Sequence, residues 1–136
     1  MSQVTHASAD VGRDGSRRDA ALYVRRTLRA GQRIAHDGDV IVLGDVHAGA
    51  EIRAAGDVLV FGQLRGVVHA GADGGDGAMV CAWRLQPLQL RIGHVIARPP
   101  DAHEDVPDVP EIARVEQGQV VIERAARPED GRMARG

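Results

Sequence analysis

The feature that most constrains this chain is an internal repeat of 18 residues. The segment from Ala30 to Ile34 matches the one from Ala48 to Ile52, and Gly38 to Gly44 matches Gly56 to Gly62. The glycines keep their phase throughout both matches. A period of 18 is too short for a helical repeat such as a 34-residue tetratricopeptide unit. It is typical of one coil of a β-solenoid with three short strands, so we predict an all-β fold.

Stacking of such coils places like residues on like. Val40 would lie on Val58 and Val42 on Val60, so that each coil buries its inward face against its neighbours. The repeated glycines supply corners where φ can be positive. Asp39 and Asp57, each after a glycine, suit turns in which the carboxylate bonds its own backbone.

The later coils depart from strict phase. The glycine-rich stretch 71–77 predicts a loop bulging from a corner. The repeat pattern returns at 79–85. Beyond it, Leu88, Leu90 and Ile92 alternate with polar residues as in a half-buried strand. These segments bring the predicted solenoid to about four coils.

The flanking segments predict the remaining organisation. We expect a final strand around residues 119–123, with Gly118 turning just before it. The predicted parts are a disordered tail at 1–21, the solenoid at 22–98, an acidic linker at 99–110, a C-terminal strand at 111–125 and a flexible tail at 126–136.

Composition excludes several classes of protein. Aromatic residues make up only 2% of the chain, so the core must consist of Val, Ile, Leu and Ala. The net charge of −2 argues against nucleic-acid binding. No signal peptide or long apolar run is present, which predicts a cytoplasmic protein that meets a membrane only through a partner.

The strands of the repeat are apolar on both sides. Val40 and Val42 point to one side of their strand, whereas Ile41 and Leu43 point to the other. In a single-layer solenoid one side should face water, so an apolar outer side indicates an interface. Two alternatives stay open: a symmetric homodimer, or cover by a tail strand such as residues 120–122. Which side faces inward is also left open. The predicted interface comprises Ile41, Leu43, Leu59, Phe61, Val80 and Ala82.

No catalytic or metal-binding motif is present in the sequence, which predicts a protein that is not an enzyme and needs no cofactor. The six histidines are scattered and are expected to lie exposed in turns, while Cys81 is expected to be a buried thiol. The arginine cluster at 25–33 fits either a solvated face or a binding surface for a partner.

Several segments together closely resemble the C-terminal domain family of the septum-site regulator MinC. They are 29–34, 44–46 with 48–51, 54–57 with 60–62, 64–66, 70–72, and 85–87 with 89–92, with a weaker echo at 115–123. The resemblance implies a right-handed, three-sided, single-stranded β-helix. It also implies a homodimer formed through one face of the solenoid.

The same resemblance implies binding to the membrane-associated ATPase MinD. The family's Arg-Ser-Gly-Gln motif maps onto Arg29, Gly31 and Gln32, with Ala30 in the serine position. The resemblance adds three further MinD-binding positions, Gly49, Arg65 and Gly66.

These residues predict a division-inhibitor component that dimerises, docks on MinD and helps to block FtsZ ring formation at wrong sites. Whether this chain contacts FtsZ directly is left open. The family's N-terminal domain has no counterpart before residue 22, which predicts a truncated or atypical member. Two rivals are a bactofilin-like structural polymer and a solenoid acyltransferase.

Overall fold

The computed structural model describes residues 9–11, 17–97 and 109–125, and every regular element among them is a β-strand. None of these residues belongs to a helix that could span a membrane. The strands are β1 (Ala9–Val11), β2 (Arg17–Asp19), β3 (Leu22–Val24), β4 (Arg33–His36), β5 (Val40–Val42), β6 (Glu51–Ala54), β7 (Val58–Leu64), β8 (Val67–Ala70), β9 (Met79–Leu85), β10 (Gln89–Ile92), β11 (Val95–Ala97), β12 (Glu111–Glu116) and β13 (Gln119–Arg124).

The strands wind into a three-sided β-solenoid of about four coils, which confirms the predicted fold. One side, sheet I, has the order β13-β12-β9-β7-β5-β3. A second side, sheet II, has the order β11-β10-β8-β6-β4. The third side is narrow and consists of parallel bridges that join Leu28 to Val46 and Val46 to Leu64.

The observed register confirms the 18-residue repeat. Val40 pairs with Val58 and Val42 with Val60 across the parallel strands β5 and β7. The valines of both strands face inward and are at most 1% exposed. Stacked aliphatic side chains therefore form one continuous core, as the repeat requires.

The aspartates of the repeat connect successive coils. The Asp39 carboxylate accepts a hydrogen bond from the Asp57 backbone amide at 2.7 Å, and that of Asp57 accepts one from the Met79 amide at 2.9 Å. These bonds reach the next coil, whereas the sequence predicts bonds within each aspartate's own turn. Stacking brings the amide of the next coil closer, and a charged acceptor makes this a strong bond.

The glycine-rich loop lies where the sequence predicts it, between β8 and β9. It lengthens the coil, so that Val58 pairs with Val80, an offset of 22 rather than 18. Gly71 adopts a φ of 59° there. The corner at Gly66 is instead shortened: Glu51 pairs with Val67, an offset of 16.

Antiparallel strands close the C-terminal end of the solenoid. β11 folds back on β10, and β12 pairs with β9 and forms a hairpin with β13. The sequence predicts one C-terminal strand within 111–125 and a turn at Gly118, whereas the structure has two strands on either side of that turn. Gln117 and Gly118 both have positive φ, the geometry of a tight hairpin turn. Ala113 of β12 is fully buried against the last coil.

The terminal predictions are only partly accessible. Within the expected disordered tail, β1 and β2 pair as a short antiparallel hairpin. Residues 1–8 and 12–16 lie outside the described residues, as do residue 98 at the end of the predicted solenoid, 99–108 of the predicted linker and 126–136 of the predicted flexible tail.

Candidate partner-binding surfaces

The six residues assigned by resemblance come together at one corner, where the narrow third side meets sheet II. We call this set the arginine corner; it comprises Arg29, Gly31, Gln32, Gly49, Arg65 and Gly66. Arg29 and Arg65 directly follow Leu28 and Leu64, which occupy the same core column. Both arginines therefore point outward from the same edge of the solenoid. They lie two coils apart, with one residue of the intermediate coil between them.

That intermediate residue is His47, which sequence reasoning missed. Its amide donates to the Leu28 carbonyl at 2.9 Å, and the Arg65 amide donates to the Val46 carbonyl at 2.8 Å. The ladder stacks Arg29, His47 and Arg65 in order, with His47 half-buried and both arginines exposed. The signal was available, because His47 lies 18 residues from each arginine.

Gln32 shapes the corner rather than simply lining it. Its side-chain Oε1 accepts a hydrogen bond from the Arg29 backbone amide at 2.8 Å, and its own amide donates to the Arg29 carbonyl at 3.0 Å. Gly31 lies at the third position of this turn with a φ of 87°. A left-handed residue at that position defines a type II turn, which favours glycine. These bonds hold the base of Arg29 rigid.

The three glycines of the corner differ in what surrounds them. A Cβ atom on Gly31 would meet no heavy atom within 4 Å, so the space above it is open. A Cβ on Gly49 would lie 3.1 Å from the Ala30 Cβ. A Cβ on Gly66 would lie 2.4 Å from the Ala50 carbonyl oxygen, closer than atoms can approach. Gly66 thus has a packing role of its own, and Gly31 is the glycine that leaves room for a partner.

The outer face of sheet I carries the apolar patch. We call it the apolar face; it comprises Tyr23, Ile41, Leu43, Leu59, Phe61, Cys81 and Trp83. Tyr23, Ile41, Leu59 and Cys81 form one column in register. Beside it, the rings of Phe61 and Trp83 stack with centroids 5.5 Å apart and planes 19° apart. The Phe61 ring is 45% exposed and the Trp83 ring 52%. A contiguous apolar patch of this kind is unusual on a surface that faces only water.

Two of the predicted interface residues are not on this face. Val80 and Ala82 are fully buried in the core column, and Cys81 and Trp83 point outward in their place. The physical reason is the register of the strands. The loop adds four residues to the 18 of the repeat, so Val80 pairs with the inward-facing Val58 and itself faces inward. A strand alternates sides at every residue, so an error of one position exchanges the two faces.

Residues 120–122, the example of a covering tail strand, do not lie over the patch. The hairpin of β12 and β13 extends sheet I at its edge, through pairing of β12 with β9, and does not lie across its face. Tyr23, Phe61 and Trp83 consequently stay exposed within the chain. Burial raises the pKa of the Cys81 thiol, which favours its protonated form on this face.

The sequence predicts that the histidines lie in exposed turns, but the structure buries some of them. His36 is only 5% exposed, and its Nε2 lies 2.6 Å from the Ala20 carbonyl oxygen. His47 and His69 are half-buried, and His94 is exposed, while His6 and His103 lie outside the described residues. Within the described ranges no three His, Cys, Asp or Glu residues are grouped to hold a metal ion.

Comparison with known proteins gives one consistent result. The family model of the septum formation inhibitor MinC, C-terminal domain, matches residues 22–125. The probable septum site-determining protein MinC of Heliobacterium modesticaldum is 53% identical over 106 residues, which cover 78% of this chain and 37% of that protein. Its counterpart from Persephonella marina is 42% identical over 109 residues, covering 80% of this chain and 54% of that protein.

A solved structure agrees with the sequence comparison. A chain of the MinC:MinD cell division protein complex from Aquifex aeolicus is similar with a TM-score of 0.75 and 43% sequence identity. The match covers 77% of this chain and 86% of that one. Against the two curated relatives, by contrast, this chain spans only 37% and 54% of their length.

Proposed function

The chain belongs to the family of the MinC C-terminal domain, and from this premise we propose that it docks on MinD through the arginine corner and dimerises through the apolar face. In this role it links a membrane-associated ATPase to the control of septum position, with FtsZ as the final target. The family consists of septum formation inhibitors rather than enzymes, so the proposed mechanism is binding alone.

One observation carries the MinD proposal: six residues from three successive coils meet at one corner. Arg29 is exposed, and the Gln32 side chain anchors its backbone at 2.8 Å. A guanidinium on a rigid base loses little conformational freedom when it binds a carboxylate or carbonyl of a partner. Open space above Gly31 lets the partner's backbone come close.

The MinD proposal is tested by co-sedimentation with MinD, ATP and lipid vesicles. We expect Arg29→Ala to weaken MinD binding by at least about tenfold, because it removes a charge-assisted hydrogen bond at the centre of the contact. The matched control is Arg25→Ala, an exposed arginine outside the corner. Wild-type binding by a folded Arg29→Ala variant would refute the assignment.

Dimerisation through the apolar face rests on the exposure of its aromatic pair and on the edge position of the hairpin. A two-fold interface places the same patch of both copies in contact. Leu59 lies in the central column of the face, and Leu59→Asp should yield a folded monomer because two carboxylates would meet in an apolar contact. Sedimentation velocity distinguishes the two states, and an unchanged dimer would exclude this face.

Of the two rivals, the structural polymer conflicts with the C-terminal end of the solenoid. A polymer of stacked coils needs a free parallel edge at both ends, whereas here β11 and the β12–β13 hairpin close one end with antiparallel pairing. The acyltransferase rival finds no support in a family of division inhibitors.

A further inference from the structure

The outer face of sheet II presents a row of basic side chains. Arg53, His69 and Arg91 lie in register on β6, β8 and β10. Neighbouring strands are about 4.8 Å apart, so the two arginine backbones are about 10 Å apart with His69 between them. Two guanidiniums on one face of a sheet repel each other. The fold itself does not need them, because the inward residues of these strands supply the packing.

The carboxylates around this row do not neutralise it. Glu51 is the one carboxylate on the described part of the face, and it pairs with Arg33 at 3.3 Å. Asp37 and Asp73 lie at the adjacent corner, where they line a shallow cavity of about 280 Å³ together with Arg53. Among the described residues neither Arg53 nor Arg91 forms an ion pair.

Hydrogen bonds orient part of the row and leave one donor of Arg91 without a partner among the described residues, so the row can accept an anion. His69 Nε2 lies 3.1 Å from the Gly93 carbonyl oxygen, so this nitrogen carries the proton. Its Nδ1 then accepts from Arg53 Nη1 at 3.4 Å, which orients the guanidinium. The Nε of Arg91 is buried and has no hydrogen-bond partner among the described groups. Burial lowers the pKa of His69, and the charges of Arg91, Arg53 and His94 lower it further. The hydrogen bond to Gly93 acts in the opposite direction and raises the pKa.

We propose that this basic row, defined as Arg53, His69 and Arg91, is a second docking site that binds an extended acidic segment of a partner protein. An extended chain projects alternate residues to the same side about 6.6 Å apart, and the long, flexible side chains of Arg53 and Arg91, whose backbones are about 10 Å apart, can each reach one such carboxylate. The site is independent of the arginine corner and of MinD binding.

The chemistry of the face favours an acidic peptide over a lipid surface or a nucleic acid. Membrane-binding faces insert aromatic or large aliphatic side chains beside their cations. Here the exposed aromatics Tyr23, Phe61 and Trp83 all belong to sheet I. Among residues paired with the basic row, Ile96, which pairs with Arg91, is the one large exposed aliphatic side chain. A net charge of −2 for the whole chain disfavours nucleic acid.

The test measures fluorescence anisotropy of a fluorescein-labelled (Glu-Ala)₄ peptide with the full 136-residue chain and without MinD. The peptide should bind, the matching (Gln-Ala)₄ peptide should not, and binding should weaken with salt. Affinity should rise as pH falls from 8 to 6, because a bound carboxylate favours protonation of His69.

Variants locate the site. Arg53→Gln combined with Arg91→Gln should weaken peptide binding by at least about tenfold, whereas Glu51→Gln should strengthen it about twofold by releasing Arg33. Arg25→Gln is the matched control for the loss of one exposed arginine elsewhere. Circular dichroism establishes that each variant is folded.

Three results would overturn the proposal. The folded double variant could bind the peptide like the wild type. Arg65→Gln could abolish binding while the double variant does not, which would move the site to the arginine corner. Finally, phosphatidylglycerol-containing vesicles could bind in an Arg53- and Arg91-dependent manner while the peptide does not, which would identify a membrane surface. None of these results affects the separate test of Arg29→Ala on MinD.

Discussion

Sheet I and sheet II are built from the same coils, yet their outer faces are opposite in character. Both bury stacked aliphatic residues inward, such as Val60 in sheet I and Ile52 in sheet II, each 1% exposed. Outward, sheet I shows Leu59, Phe61 and Trp83, whereas sheet II shows Arg53 and Arg91. The solenoid thus separates its two tasks by direction: inward residues make the fold, and outward residues select what each face meets.

The largest effect should come from comparing a charge on the inward side of one strand with a charge on its outward side. Val60→Asp places a carboxylate in the fully packed core without a partner, and we expect a loss of more than about 4 kcal/mol in the free energy of unfolding. The neighbouring Leu59→Asp should change the stability of the monomer by less than about 1 kcal/mol, because that side chain points outward. Urea denaturation of both variants at low protein concentration measures the difference. Equal losses would show that the two sides of β7 are not distinct.

A smaller effect should distinguish the aromatic pair of sheet I from its surroundings. The stacking of Phe61 on Trp83 should contribute about 0.5–1.5 kcal/mol beyond the area that the rings bury. A double-mutant cycle with Phe61→Ala and Trp83→Ala, performed on the Leu59→Asp background to exclude self-association, isolates this coupling. A coupling energy near zero would contradict the expectation, because it would mean that the stacking does not stabilise the isolated chain.

The smallest effect concerns His69 of sheet II. Its pKa is lowered in the folded state, so the unfolded chain binds the proton first as the pH falls. Stability should therefore decrease as the pH drops from the usual histidine range to the lowered pKa of the folded state, and it should not decrease further from this group below that point. His69→Gln should remove this part of the pH dependence of Tm, whereas a charge-neutral change on sheet I, Leu59→Asn, should retain it. An identical pH profile for His69→Gln would contradict the expectation.

Much of the fold could be predicted because the repeat is a local property of the sequence. The stacking of Val40 on Val58, the loop at 71–77 and the turn at Gly118 all follow from residue spacing and from glycine chemistry. The role of Asp57 could not be predicted in the same way. Its carboxylate accepts from the amide of Met79 at 2.9 Å, and only the stacking of the coils brings these two groups together.

The candidate sites show a similar division. Resemblance assigned six residues to one surface, and the coordinates place them at one corner and add His47 between two arginines. The basic row of sheet II escaped notice because Arg53, His69 and Arg91 are separated by 16 and 22 residues. A fixed period of 18 does not connect them.

By itself the sequence determined that the chain forms stacked coils, because residues that recur every 18 positions bury one another only when the coils lie directly above each other. It also determined that sheet I has apolar residues on both sides. Only the tertiary structure decided which side is the core, that Cys81 and Trp83 rather than Val80 and Ala82 point outward, and that the hairpin extends the edge of sheet I. The physical reason is that strand sides alternate at every residue, so these outcomes depend on loop lengths and long-range pairing that no local pattern encodes.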